Sequence, residues 1–256
     1  EIPLRLVGSE MCIRDRLWKD SNFVLGEPVS EIKYVCRNVD IIMARLIKNE
    51  TVELFGKNAT VPFINGCDNS YHPCQILADA LTILEKFGTL DVNLMYIGAK
   101  NNVFNSHVEF FSKMKKGTLY GLTPLVNETA CGPDFYEEAK KSGHYIELDP
   151  AMSMEEAKEY ANKMDVLYTD TWVDMEFFNN PAYQKQKEET LAKMMPYQLN
   201  GDFTKDSKAI VFHDMPMHVG FEISQDVVDK NLDHILDEAE NRRHAEKAVM
   251  YTLLNS

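Results

Sequence analysis

Short apolar runs alternate with amphipathic stretches along nearly the whole chain. The runs at 39–44 (VDIIMA), 61–64, 92–97, 117–122, 166–168 and 209–212 predict strands. Residues 73–87 predict a helix whose Ile76, Leu77, Ala80, Leu81, Leu84 and Phe87 share one face. His72-Pro73 opens that helix, because proline suits the first helical turn, and Gly88 closes it. Further helices are predicted at about 102–115, 133–142, 153–162 and 238–254. The charged stretch 184–193 reads as a solvated helix face or an insertion. Strands and helices that alternate in this way build parallel sheets. The expected fold is α/β, with a domain boundary at 87–91 and no internal repeat or low-complexity linker.

Composition narrows the partners. A formal net charge of −13 argues against nucleic acid or an anionic membrane. No apolar run approaches the roughly 20 residues that span a bilayer, and no secretion signal is visible at the start. The five cysteines (Cys12, Cys36, Cys67, Cys74, Cys131) form no C-x-x-C pair and predict free thiols in a reducing cytosol. The sequons at Asn49, Asn58 and Asn127 are then chance matches. No arginine occurs between Arg45 and Arg242, so an anion clamped by arginine must draw on the two ends of the chain.

Ligands of open parallel sheets bind beyond the carboxyl ends of the strands. At such positions stand Arg45 after VDIIMA, His72 to Gln75 after 61–64, Asn101 and Asn102 after 92–97, Asp170 and Trp172 after 166–168, and His213 and Asp214 after 209–212. Arg242 falls in the first turn of the predicted final helix. Taken singly, each has a bland reading: a strand-end arginine belongs to a surface ion pair, a His-Pro step caps a helix, an asparagine satisfies a turn. Together they supply cations, amides and a helix N-terminus, which suit a small dianion such as a phosphate ester.

Four segments carry a specific resemblance. The run VPFINGCDNSYHPCQILADALTI (61–83) resembles the H-P-x-Q-x-L-A-D segment of ornithine carbamoyltransferases. YTDTW (168–172), MPYQLN (195–200) and DEAENRRHAEKAVMYTLL (237–254) resemble that family's Y-T-D-x-W, P-Y-Q-x-N and E-A-E-N-R motifs, in the same order. The resemblance implies two parallel-sheet α/β domains with the active site between them, the first domain incomplete. It implies a partial carbamoyl-phosphate domain at 17–88, an amino-acid domain at 89–236, and a C-terminal helix at 237–256 that packs back on the first domain. The reaction implied moves the carbamoyl group of carbamoyl phosphate to an amine such as ornithine, with no cofactor and no metal. By the same resemblance His72 and Gln75 hold the carbamoyl group, and Arg45 and Arg242 hold the phosphate. Asn102, Asp170, Asp174, Met175, Asp214 and Met215 face the acceptor. A cytoplasmic homotrimer is the assembly implied.

The chain also departs from the pattern. Residues 6–16 (LVGSEMCIRDR) resemble one reading frame of a sequencing adapter, so native sequence is expected to resume near Leu17. The family's Ser-x-Arg-Thr-Arg phosphate loop has no counterpart, and the chain as written is expected to be nearly inactive. Where ornithine enzymes read D-x-x-x-S-M-G, Asp174 and Glu176 replace serine and glycine; where they read H-C-L-P, Asp214 replaces the cysteine, and Val219 stands for a later arginine. A carboxylate beside the acceptor would favour the ammonium form, which cannot attack. Ornithine therefore competes, as acceptor, with a polyamine or an acylated diamine, and a non-catalytic metabolite-binding homologue is the reading from another class.

Overall fold

The protein is described by a computed structural model over residues 27–173 and 178–256. The adapter-like stretch, Asp174, Met175 and Glu176 lie outside the described residues. Among the described residues the elements run α1 (Pro28–Cys36), β1 (Ile42–Arg45), α2 (Asn49–Asn58), β2 (Phe63–Cys67), α3 (Pro73–Phe87), β3 (Asn93–Lys100), α4 (Asn102–Met114) and β4 (Thr118–Val126). Then come α5 (Pro133–Lys140), β5 (Tyr145–Glu147), α6 (Met154–Ala161), β6 (Val166–Tyr168), α7 (Gln184–Met194), β7 (Ile210–Phe212) and α8 (Gln225–Leu254).

Every strand pairing is parallel. β1 pairs with β2 in one small sheet, and a second sheet has the order β5–β4–β3–β6–β7. Helices cover both faces of the larger sheet, so its central strands are apolar on both sides. Leu94 and Tyr96 of β3 join one core with Phe104, Phe111 and Tyr168, while Met95 and Ile97 join the other with Leu167, Val211 and Ile235. The β1–β2 sheet has a smaller core around Ile32, Cys36 and Phe55.

Local chemistry fixes the elements that matter. Helix α3 occupies its predicted bounds: His72 accepts from the Gln75 N–H, Pro73 takes the first turn, and Gly88 closes the helix at φ 69°. Gly117, at φ 65°, turns the chain into β4 where any Cβ would run into the Val92 carbonyl. Two expectations are corrected. The final helix begins at Gln225, not near residue 238, so Arg242 lies mid-helix rather than in a first turn. The reason is that Val227, Val228 and Ile235 bury on the larger sheet and extend the helix backwards. Strand β5 and helices α1 and α2 were not among the predicted elements. The stretch at 184–193 is a largely exposed helix, α7. Among the described residues no helix is long and apolar enough to cross a membrane.

Candidate active site

Helix α8 brings the two sheets together. Its first half packs on the β7 side, through Val227, Val228 and Ile235, and its second half packs along α3. There Asn241 donates to Thr82 Oγ1 (3.0 Å) and Glu85 Oε2 (2.7 Å), and Lys86 pairs with Asp237. This docking sets Arg242 against the start of α3. One Arg242 guanidinium nitrogen donates to the Gln75 side-chain carbonyl and to the Asp214 backbone carbonyl (2.7 Å). Burial works against the Arg242 charge, but the carboxyls of Asp214 and Glu238 outweigh it and raise its pKa. Its Nε is buried with no partner among the described residues, a donor left for a ligand.

His72 sits at the mouth of α3 and is buried. Its backbone N–H donates to Ser106 Oγ at 2.7 Å, and its Nδ1 accepts from the Gln75 N–H at 3.3 Å. Burial first, and then the charges of Arg242 and Arg45, hold the His72 pKa well below the ordinary histidine value. The ring is therefore neutral, and an accepting Nδ1 leaves the hydrogen on Nε2 as a donor. Arg45 ends β1 with an exposed side chain, and its charge acts on His72 and Cys67. Cys67 ends β2, and burial pushes its thiol up to about 11.

The acceptor side is built at the ends of β3, β6 and β7. Asp170 Oδ2 accepts from Asn101 Nδ2 at 2.6 Å, while Oδ1 accepts from the backbone and hydroxyl of Thr171. The Asp214 carboxyl is hydrogen-bonded to Asp170. Burial first, and then the Asp170 charge, raise the Asp214 pKa well above the carboxylate range. The carboxyl expected beside the acceptor thus has a raised pKa, because a second carboxyl lies against it in a buried place. Asn102 turns elsewhere, donating to the Asp68 carbonyl at 2.8 Å and lying 3.3 Å from Cys67 Sγ, so it ties the start of α4 to the end of β2. Met215 follows Asp214 at φ 50°, before a cis peptide to Pro216, and its N–H donates to His213 Nδ1 at 3.1 Å.

Sequence reasoning missed Asn101 as the partner of Asp170, and it gave no role to Asp79 and Glu238, although both belong to the H-P-x-Q-x-L-A-D and E-A-E-N-R motifs. Asp79 and Thr82 are buried on the inner face of α3 between Ile76 and Ile83, and a polar pair among core positions was the available signal.

A raised carboxyl pKa has a consequence for stability. Above about pH 4, the ordinary aspartate value, the unfolded chain releases a proton that folded Asp214 keeps, so its contribution to stability falls as pH rises through the folded-state pKa. Asp214→Asn should flatten that fall in urea denaturation followed between acid and neutral pH. An identical slope in both proteins would place the retained proton elsewhere.

Strand ends that carry Arg45, Asp170 and Asp214, met by Arg242 and His72 at one helix start, form the kind of place where an open parallel α/β fold binds its ligand. The family profile described as aspartate/ornithine carbamoyltransferase, Asp/Orn binding domain, matches residues 90–253, and the carbamoyl-P binding domain of the same family matches residues 6–85. The chain belongs to the aspartate/ornithine carbamoyltransferase family, a family of transferases. It is 33 % identical to an ornithine carbamoyltransferase of Archaeoglobus fulgidus over 244 residues, which is 93 % of this chain and 74 % of that protein. It is 37 % identical to the one from Pyrococcus horikoshii, covering 90 % of this chain and 70 % of that protein. Among solved structures, ornithine carbamoyltransferase from Pyrococcus furiosus superposes with a TM-score of 0.78 at 33 % identity, covering 93 % of this chain and 74 % of that one. An N-acetyl-L-ornithine transcarbamylase shares the fold with a TM-score of 0.68 at 23 % identity, covering 88 % of this chain and 72 % of that one.

Proposed function

We propose that the protein transfers the carbamoyl group of carbamoyl phosphate to the side-chain amine of ornithine, giving citrulline and phosphate. The observation that carries this reading is the meeting of Arg242 with the His72–Gln75 start of α3, with a spare guanidinium N–H. In this reading Arg242 and Arg45 hold the phosphate, and the neutral His72 donates its Nε2–H to the carbamoyl oxygen as that oxygen gains charge. The amine nitrogen attacks the carbamoyl carbon, the bond from carbon to the phosphate oxygen breaks, and the departing phosphate takes the amine proton. Gln75 is fully buried and committed to Arg242, Asp79 and Glu238, so its turn toward the carbamoyl NH2 requires Arg242 to leave its carbonyl for the phosphate.

On the acceptor side, Asp170, Asp214 and Met215 face the amine in this reading, with Asp174 and Met175 outside the described residues, while Asn102 reaches it only by releasing the Asp68 carbonyl. The raised Asp214 pKa weakens its hold on the acceptor as an ammonium ion, which suits an amine that must attack as the free base. The second reading, a different diamine, is favoured by Val219 in place of an arginine. Phosphate release across a panel of amines separates them. Ornithine should lead the panel, and Asp214→Cys should raise its share further; an unchanged ranking would show that Asp214 does not set specificity. Family resemblance also supports a cytoplasmic homotrimer with domains at 17–88 and 89–236 and a returning helix at 237–256, for which sedimentation is the test of assembly.

A further inference from the structure

Three elements meet at one carboxyl. Glu238 lies on α8, one helical turn before Arg242, and is fully buried. Its Oε1 accepts from the Gln75 side-chain amide, and its Oε2 accepts from the backbone N–H of His213 at 3.0 Å. The first partner belongs to the start of α3, and the second begins the loop that carries Asp214. One turn further along α8, Arg242 bridges the same two segments through the Gln75 and Asp214 carbonyls, so Glu238 and Arg242 make the link together. Asp79, one turn along α3 from Gln75, completes the group: its Oδ1 accepts the second hydrogen of the Gln75 amide at 2.7 Å. Its Oδ2 lies 3.1 Å from His107 Nε2. His107 Nδ1 is 3.0 Å from the Val103 carbonyl and must donate to it, so the ring orientation is fixed as well. Burial first, and then the neighbouring Asp79 carboxyl, raise the Glu238 pKa well above the carboxylate range.

The consequence is geometric. Gln75 has both amide hydrogens held by carboxyls of two different helices, so its plane cannot rotate unless Glu238 or Asp79 moves. The same Glu238 carboxyl fixes the height of the His213–Asp214 backbone, whose Asp214 carbonyl is a partner of Arg242. We propose that Glu238 is a positioning residue: its two oxygens hold the Gln75 amide on one side and the His213 N–H on the other, keeping the carbamoyl and acceptor halves of the site in register. This role rests on the carbamoyl-transfer reading, whereas the physical link does not.

Glu238→Gln keeps the size of the side chain but leaves one accepting oxygen, so one of the two holds must break. Glu238→Asp keeps both oxygens on a shorter stem. Backbone hydrogen exchange, thermal unfolding and steady-state turnover are measured on all three proteins. For Glu238→Gln we expect exchange at the His213 amide to rise about tenfold or more as its acceptor is lost. Turnover should fall by about ten- to a hundredfold in kcat, with KM for carbamoyl phosphate within about threefold, the mark of an interaction that matters in the transition state. Glu238→Asp should recover part of kcat. Unchanged exchange at His213 together with unchanged kcat would overturn the proposal. So would a loss of kcat that follows loss of folded protein and is not relieved by aspartate. Turnover is read in a parent that carries the family's phosphate loop; if that parent transfers carbamoyl to no amine, the functional reading fails, and the exchange result alone decides whether Glu238 holds the loop.

Discussion

Replacing Arg242 by alanine should lower kcat/KM for carbamoyl phosphate by about 10²- to 10⁴-fold, the loss of two charge-assisted hydrogen bonds at roughly 1.5–3 kcal/mol each. The guanidinium is the only cation among the described residues that touches Gln75, and its removal also strips the Gln75 and Asp214 carbonyls of their donor. Lysine at this position should recover little, because one ammonium cannot hold the two carbonyls and also supply the further N–H that the arginine Nε leaves spare for a ligand. A loss smaller than about tenfold in a folded Arg242→Ala protein would remove Arg242 from the phosphate site, and the assignment of the site with it.

His72→Ala should lower kcat by about 10²- to 10³-fold, the usual effect of deleting one donor to a developing oxyanion. The pH profile adds a sharper check. A histidine of ordinary pKa would gain a second proton below about pH 6.5 and introduce an acidic limb there. Burial and two arginine charges hold His72 neutral to lower pH, so kcat/KM should stay flat as pH falls through that value. The folded state likewise excludes a proton that the unfolded chain accepts, and stability should fall as pH drops below about 6.5, a decline that His72→Gln should reduce. An acidic limb at the ordinary histidine value would show that His72 is solvated and charged, and would end its role as a neutral donor.

The sequence exposed those parts of the site that local rules govern. His72, Pro73 and Gly88 mark the two ends of α3 by cap chemistry, and the short apolar runs place Arg45, Asp170 and Asp214 at strand ends. What it concealed depends on distance in the chain. Gln75 and Glu238 are 163 residues apart, and nothing in either neighbourhood announces the other. Asp79 and His107 occupy separate helices and meet only because α3 packs on α4. The early start of α8 was concealed differently. In its first three turns Val227, Val228 and Ile235 are buried while Leu232 faces solvent, so the apolar positions do not mark a single buried face. Strand β5 spans three residues, too few for an alternation to register.

Helix α8 is 30 residues long, so at about 1.5 Å per residue it forms a single rod of about 45 Å. One end of the rod is bolted to β7 and the other to α3, with no break between them. Pulling the halves straight apart would tear one set of bolts, so the compliant motion left to them is a swing about the rod, as the covers of a book turn about its spine. In such a swing, displacement grows with distance from the spine, so Gln75, held against the rod, stays almost still.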